Sequence, residues 1–440
     1  MLAAMPPPAT SPSLPEDASA RDRGDACPGT LRLHRADDGA LARVRVPGGL
    51  LTAVQADVLG AAAESLGDGE LHLTSRGNVQ LRGLGPHCGG ELAGRLGEAG
   101  LLPSARHERI RNIVASPLSG LDGRGAQDVG PWLRTLDALL CAGGRTAGLS
   151  GRFLFVLDDG RGDVDALGGD VTLLAQDDGA ALLRIGTDRT VVRIPGARAP
   201  QAVLMAAEIF LERASGTGAW RVTDLPGGAG PLLDEVARRL RREGYGPAAT
   251  ENRDCPHGSD GPAPGVVTGR HDEAALSIGI PLGRFTPAQW RSLTETARHG
   301  GRGELRLTPW RGVVVPGVER RRAAGLLDSL GTTGLVVGPD SPWTGVGACI
   351  GRPGCAKSLA DVRGRAAAAV GPVGLLPVYW SGCERRCGHP RGEWVDVVAT
   401  PSGGHRICVV RGEERDAPVS VHDSPGGLAA AVAAARGTRG

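Results

Sequence analysis

Two stretches of this chain alternate apolar and polar positions as a half-buried strand does, RVRVP from Arg43 and LSIGIP from Leu276, and the same succession of patterns follows each. A Thr comes next with a Gln three positions later, so Thr52/Gln55 and Thr286/Gln289 each predict a capping box at a helix start. Pro287 falls at the first helical position, where its missing N–H costs nothing. Beyond the helix come a strand through LHLT or LRLT, another through NVQLRGL or GVVVPGV, and a second helix through ELAGRLGEAG or ERRRAAGLLDSLG. Each window therefore predicts a β-α-β-β-α half-unit.

The two windows are one pattern used twice. Residues 44–101 match residues 278–335 without a gap, at an offset of 234: Pro47 with Pro281, Gly49 with Gly283, Leu59 with Leu293, Ala63 with Ala297, Gly83 with Gly317, Leu96 with Leu330. A match of that length marks an internal duplication. A longer α/β segment follows each half-unit, and its strands echo too, GRFLFVLDDG and DVTLLA in the first, PVYWSGCE and VDVVAT in the second. The predicted fold class is α+β, a tandem duplication of half-unit and α/β domain about a pseudo-twofold axis. The expected order is a disordered Pro-rich tail over 1–25, a half-unit over 26–104, its α/β domain over 105–225, and a linker with an amphipathic helix (PLLDEVARRLRREG) over 226–270. The second half-unit then spans 271–337, its α/β domain 338–425, and a short exposed helix and tail 426–440.

Composition refines this picture in three respects. With four Phe, seven Trp, two Tyr and 70 Gly in 440 residues, the core has to be built from Leu, Val, Ile and Ala around many tight turns. A net charge of +2 excludes a global nucleic-acid or membrane-surface signature, so any electropositive site is local. No run approaches the roughly 20 apolar residues of a membrane-spanning helix, and the first residues lack an apolar signal core, which points to the cytoplasm.

Nine cysteines in a long chain of this kind favour metal binding or catalysis over a disulfide framework. Cys349 and Cys355 form C-x5-C, and after 27 intervening residues Cys383 and Cys387 form C-x3-C. Four thiolates delivered in two pairs suit an iron–sulfur cluster, whose soft irons select sulfur. Zinc or unrelated thiols stay open on spacing alone, although zinc pairs usually have two to four intervening residues. Cys27, Cys88, Cys141, Cys255 and Cys408 show no paired spacing and read as core or surface thiols.

These residues together carry a resemblance. LHLTSRGNVQLRGL resembles the ferredoxin-like half-domain signature of the sulfite and nitrite reductase superfamily, RNIVASPLSG resembles the start of its first cofactor-binding segment, and C-x5-C with C-x3-C is similar to its cluster motif. The resemblance covers about residues 27–425 and implies two ferredoxin-like half-domains, each followed by a sulfite-reductase-like α/β domain, with a 4Fe-4S cluster on Cys349, Cys355, Cys383 and Cys387. It also implies that Arg76, Arg111 and Arg152 face a tetrapyrrole or its bound anion; a guanidinium fork suits a polycarboxylate macrocycle.

Within the superfamily, CPGTLRLHRADDGALARVRVPGG, LRLTPWRGVVV and the short length are similar to the precorrin-3B synthases, oxygenases of aerobic cobalamin biosynthesis. LSGRFLFVLDDG resembles a stretch where the assimilatory reductases place two basic residues spaced by one; here Arg152 remains and Leu154 stands at the second. The branch implies oxygen-dependent oxidation of precorrin-3A to precorrin-3B, a ring hydroxylation followed by γ-lactone closure. Its partners would be the tetrapyrrole substrate, dioxygen and an electron donor, with room for a mononuclear non-haem iron of unassigned ligands. The alternatives are a siroheme-dependent nitrite or sulfite reductase, in which siroheme is a cofactor, and a non-catalytic iron–sulfur carrier. Trp310 and Arg311 stand where the first copy has Arg76 and Gly77, so the two half-sites have diverged, and His389 follows Cys387 by two residues with a second-shell or helix-end role favoured over ligation.

Overall fold

The computed structural model describes residues 27–245, 250–254, 261–390, 392–412, 414–421 and 425–437. The disordered tail expected over 1–25 lies outside them, as does Cys255.

In the first copy, β1 (His34–Ala36), β2 (Gly39–Val44), β3 (Leu50–Thr52), α1 (Ala53–Leu66), β4 (Leu71–Leu73), β5 (Val79–Leu84) and α2 (Gly89–Glu98) form the predicted half-domain. Its α/β domain adds β6 (Ile113–Ala115), α3 (Gly130–Ala142), β7 (Phe155–Asp158), β8 (Val171–Ala175), β9 (Ala180–Ile185), β10 (Thr190–Pro195), α4 (Ala199–Ala214) and α5 (Gly230–Arg242), and β11 (Thr250–Asn252) closes its sheet. The second copy opens with β12 (Gly265–Thr268), β13 (Glu273–Gly279), β14 (Arg284–Phe285), α6 (Pro287–Gly300), β15 (Glu304–Leu307), β16 (Gly312–Glu319) and α7 (Arg320–Gly331). It continues with β17 (Val346–Ala348), α8 (Val362–Ala368), β18 (Val378–Ser381), β19 (Glu393–Ala399), β20 (His405–Arg411), β21 (Glu414–Arg415), β22 (Val419–Val421) and α9 (Pro425–Arg436). Both capping boxes form, with Gln55 N donating to Thr52 Oγ1 and Gln289 N to Thr286 Oγ1.

The half-domains exchange strands. One sheet runs β1-β2-β5-β4-β14 and the other β12-β13-β16-β15-β3, so each takes its fifth strand from the other copy. Leu50, Leu51 and Thr52 pair with Arg306, Leu305 and Glu304, and reciprocally Arg284 and Phe285 pair with His72 and Leu71. Gly49 makes this possible: at φ 71° its Cα passes so close to β15 that a Cβ would stand 1.9 Å from the Leu307 carbonyl oxygen. A single apolar core follows, in which Val44, Leu59, Leu81 and Leu96 of one copy pack with Leu276, Trp290, Val313 and Leu330 of the other. Trp290, the counterpart of Ala56 in the repeat, donates its indole N–H to the Ala56 carbonyl at 2.7 Å and packs edge-on against Phe285, a direct bond across the pseudo-twofold axis.

The α/β sheets repeat one another as well. Each starts with three parallel strands, β6-β7-β8 and β17-β18-β19, and continues antiparallel. Helices α3, α4 and α5 bury the first sheet's core, through Leu136, Phe210 and Val236. The helix expected in a linker is thus part of that core, and β11 and β12 of the same segment are edge strands of two different sheets. The last helix was expected to be exposed; α9 instead buries Leu428 and Val432 against the β18–β20 core, and the Arg436 guanidinium donates to the carbonyls of Thr344 and Leu376. Among the described residues no helix is long and apolar enough to cross a membrane.

Because the two copies share one core, Trp290→Ala is expected to lower the unfolding free energy by about 3–5 kcal/mol in urea titrations, through the lost ring and the cavity it leaves. A change under about 0.5 kcal/mol, the size of an ordinary surface substitution, would show that the axis carries little stability.

Candidate active site: a cysteine loop on a basic sheet face

The parallel strands β17 and β18 lie side by side, and the cysteine pairs follow their carboxyl ends, where open α/β sheets hold ligands. Cys349 leaves β17 directly, and Gly382 N, just past β18, donates to its sulfur at 3.2 Å. Burial pushes the Cys349 thiol up, the Gly382 and Gly351 amides pull it down, and the nearby Cys383 and Cys387 sulfurs push it up again. The Cys355 segment joins them through Leu359 N, which donates to Gly382 O at 2.8 Å, and a Cβ on Gly382 would meet Ser358 Oγ at 1.8 Å, so only glycine lets these loops touch. All four thiols are free, with Cys387 the most exposed.

The thiol spacing bears on what they hold. A tetrahedral zinc with Zn–S near 2.3 Å needs sulfurs about 3.8 Å apart. Among the described residues no group of three potential ligands within 4.8 Å of one another includes these cysteines. Amides aimed at a cysteine sulfur, as those of Gly382 and Gly351 are at Cys349, suit the thiolate ligands of a cluster. A cavity of about 430 Å³ opens beside Cys383, lined by Lys357, Glu384, Arg385 and Arg406, and forms the solvent side of the site. His389 stacks on Trp394 with centroids 5.2 Å apart and bonds Pro390 O through Nδ1, in a packing role.

The cysteine segments dock on the first copy's half-domain sheet. Strand alternation turns Leu71, Leu81, Val79 and Val44 toward the helices and leaves Arg43, His72, Gln80 and Arg82 on the other face. In register across four strands, Arg284, His72, Gln80 and Arg43 form one row. Arg82 grips Asp38 with two bonds of 2.8 Å and donates a third to Gly354 O at 2.8 Å, fastening the sheet to the residue before Cys355. Arg363, on α8, donates to Cys349 O at 3.2 Å and to His72 Nδ1 at 3.0 Å. Burial first, then the charges of Arg284, Arg82 and Arg311, hold the Arg363 pKa down to about 10.

At the other end of the row Arg43 lies against the Gln80 amide, which offers it the oxygen once the amide is turned over, and reaches the Arg76 neighbourhood. Arg76 donates to Arg152 O at 3.2 Å, and burial, with Arg221 nearby, holds its pKa down to about 10. The Arg152 guanidinium lies 5.5 Å over the Trp220 ring. Asp170, buried, receives Arg221 and the amides of Leu154 and Val222. The structure thus brings Arg76 and Arg152 together. It does not bring Arg111 to them. Arg111 is buried with its fork closed on both Asp137 oxygens at 2.7 Å and Nη1 on Leu101 O, tying α3 to the end of the half-domain, and its partners are intramolecular. Arg43, His72, Gln80, Arg82, Arg284 and Arg363 were not singled out from the sequence; the signal available was the polar side of RVRV, LHL and VQLR, whose burial appears only once the cysteine loops cover it.

The corresponding surface of the second copy is filled. Its row reads Leu50, Arg306, Val314 and Ser277 and lies under Leu118 and Leu121, with Arg306 donating to Pro117 O and Ser119 O. Trp310, in the place of Arg76, packs on a small apolar cluster that contains Leu154, Val156 and Val164. Where the second α/β domain has Gly382 N on Cys349 Sγ, the first has Asp159 N on Ser116 Oγ at 3.1 Å, in a loop stitched by Arg161 to Asp122 and Asp159. One cysteine site and one basic face survive, pressed together.

Two other groups bring three possible ligands within 4.8 Å, and neither is an open iron site. In Asp68, Glu70 and His72, Nδ1 accepts from Arg363, so Nε2 carries the hydrogen, and Glu70 is bonded to Arg284. In Asp158, Asp159 and Asp163 the first caps four backbone amides and the second clasps Arg161.

The profile of the nitrite/sulfite reductase ferredoxin-like half domain matches residues 33–98 and 268–332. Both copies of the duplicated half-domain are thus similar to that half domain, in the order described above. A precorrin-3B synthase from Sinorhizobium sp is 27% identical over 421 residues, covering 93% of this chain and 88% of that protein. A ferredoxin–nitrite reductase from Synechococcus elongatus is 27% identical over 391 residues, 80% of this chain and 74% of its own. The Mycobacterium tuberculosis NirA protein shares the fold, with a TM-score of 0.65 at 17% identity over 88% of this chain and 77% of that one.

Cys349→Ser, Cys355→Ser, Cys383→Ser and Cys387→Ser are each expected to abolish iron and acid-labile sulfide in anaerobically purified protein, whereas Cys88→Ser, at the start of α2, leaves both unchanged. Full iron content in any of the first four would remove that residue from the ligand set.

Proposed function

We propose that this chain is an oxidoreductase of the precorrin-3B synthase kind, converting precorrin-3A to precorrin-3B with dioxygen. The observation that carries the reading is the basic row, buried at His72 and half-buried at Arg363, Arg43 and Arg76, that runs from beside Cys349 to the exposed Arg152. Guanidinium groups gathered along one half-buried face suit a polyanion, and a precorrin is a polycarboxylate macrocycle. The similarity to a precorrin-3B synthase along nearly the whole chain supports the same reading.

The 4Fe-4S cluster, held by Cys349, Cys355, Cys383 and Cys387, would supply single electrons from a donor reaching the solvent side. The protein's own groups do the rest by position. Arg76 and Arg152 hold ring carboxylates, with Trp220 keeping Arg152 extended, and Arg43 is fixed for the same task by Gln80. Gripped at its rim, the macrocycle presents its meso carbon for hydroxylation and keeps a ring acetate close enough to close the γ-lactone. Arg111 is left out of this set, because its donors are already used by Asp137 and Leu101. The free cysteines and the lack of a membrane-spanning helix among the described residues are consistent with a cytoplasmic enzyme.

A second reading, a siroheme-dependent nitrite or sulfite reductase, is favoured by the nitrite reductase relatives. Against it, Leu154 is 2% exposed in an apolar cluster, where the reductases are expected to place a second cation.

Reduced protein given precorrin-3A and labelled dioxygen is expected to form a hydroxylated lactone carrying one labelled oxygen, and to stop turning over when oxygen is excluded. Rapid reduction of nitrite or sulfite by siroheme-loaded protein, without turnover of precorrin-3A, would overturn the reading in favour of the second. Arg76→Ala is expected to weaken precorrin binding by about 1.5–3 kcal/mol, the worth of a hydrogen bond to a charged group, with iron content intact; unchanged affinity would return Arg76 to a packing role.

A further inference from the structure

Arg311 stands in a place that arginine does not favour. The turn between β15 and β16 repeats the turn between β4 and β5, with Arg311 N on Thr308 O where the first copy has Gly77 N on Thr74 O, both at 3.2 Å. The first copy fills the left-handed position with Gly77 at φ 67°, but the second holds Arg311 there at φ 58°. A bulky side chain at such a φ is strained, and strain of that kind persists where the side chain has a task. The guanidinium lies 5.7 Å over the Tyr379 ring and donates to Gly388 O at 3.2 Å, while the Tyr379 hydroxyl donates to Cys387 O at 2.6 Å.

Arg311 has two counterparts at the other cysteines. Arg363 holds the carbonyl of Cys349, and Arg82 holds that of Gly354, next to Cys355. Three guanidinium groups from three elements therefore fix three ligand segments. They differ in charge balance. Arg82 is neutralised by Asp38 in a two-bond ion pair. Neither Arg311 nor Arg363 has a carboxylate in ion-pair contact among the described residues; their recorded partners are carbonyls, an aromatic ring and the neutral His72. Two half-buried cations without a bonded carboxylate, Arg363 having only the more distant Glu70, face one loop system and favour an anion there. A cluster ligated by four thiolates is an anion, and reduction makes it more negative.

We propose that Arg311 and Arg363 are the fixed counter-charges of the iron–sulfur cluster, raising its reduction potential from either side, while Arg82 with Asp38 is a neutral clamp that joins the cysteine loop to the other copy's sheet. The proposal rests on the cluster assignment for the four cysteines. Nearby positive charge favours the more negative, reduced state, and each arginine acts through the ligand segments it touches.

The test is a potentiometric titration of the cluster-loaded full-length protein, followed by electron paramagnetic resonance, on the native chain, Arg311→Gly, Arg363→Gln and Arg363→Lys. Arg311→Gly restores the residue that the first copy uses in this turn, so it removes the charge while relieving the backbone. The expected result is unchanged iron and sulfide with the reduced-to-oxidised ratio at a fixed potential falling about tenfold in Arg311→Gly and in Arg363→Gln, which is about 59 mV for one electron. Arg363→Lys retains most of the native potential because it retains the charge. A native midpoint in Arg311→Gly overturns the proposal, and so does loss of the cluster from that variant, which would make the arginine a purely structural tie. Should Arg363→Gln not assemble, Arg311→Gly decides the matter. Native protein that takes up no iron and sulfide would instead remove the cluster assignment, a different failure.

Discussion

The exchange of β3 and β14 between the half-domains is the constraint on which the rest depends. Each of these strands is two or three residues long and finds its hydrogen-bond partner only in the other copy, so the two sheets and the helices above them close on one core. That closure sets the α/β domains crosswise: the loop after β17 lies on the first copy's sheet, and the loop after β6 lies on the second's. Arg82 bonding Gly354, and Arg306, which stands in the place of His72, bonding Pro117, each pin a loop of one copy to the sheet of the other. The cysteines belong to one copy by sequence and are seated by the other.

Symmetry of the backbone then makes the divergence of the side chains informative. Two surfaces of one geometry have been given opposite chemistry. One is closed by packing, with Trp310 and Leu154 in one small apolar cluster, Leu118 and Leu121 over Val314, and Arg306 spent on the Pro117 and Ser119 carbonyls. The other is lined by Arg43, His72, Gln80 and Arg284, with burial shielding several of its groups. Half-burying Arg43, Arg76 and Arg363 with no carboxylate bonded to them among the described residues is costly, and the cost is borne at one of two otherwise equal places. An anion bound at that face would offset the cost.

Much of this was legible in the sequence, for physical reasons that differ by element. The duplication showed because the copies align without a gap and repeat their caps, turn glycines and alternation together. The cysteine pairs showed because ligand spacing is local. Strand exchange did not show, since a strand as short as Arg284–Phe285 carries no periodicity of its own. The basic row was visible only as the polar side of ordinary amphipathic strands, and nothing local says that His72 and Arg82 are covered by a loop some 270 residues away. The ion pair of Arg111 was not legible either, because a family position fixes the residue but not its partner, and Asp137 reaches it only when α3 packs. The last helix was read as an exposed tail from its Ala-rich composition, while Leu428 and Val432, four residues apart, held the packing signal.

Strand exchange also bears on how such a chain can have arisen. A polypeptide of half this length would present a strand with no partner in its own sheet, and it could complete that sheet only by giving the strand to a second copy and accepting one in return. The unit that was duplicated was therefore already a symmetrical pair, with two equal clefts, each shaped by both members. Fusing the pair into one chain left that architecture unchanged and removed the requirement that the clefts be identical, so that one could be packed shut for stability while the other kept the polar, energetically expensive surface.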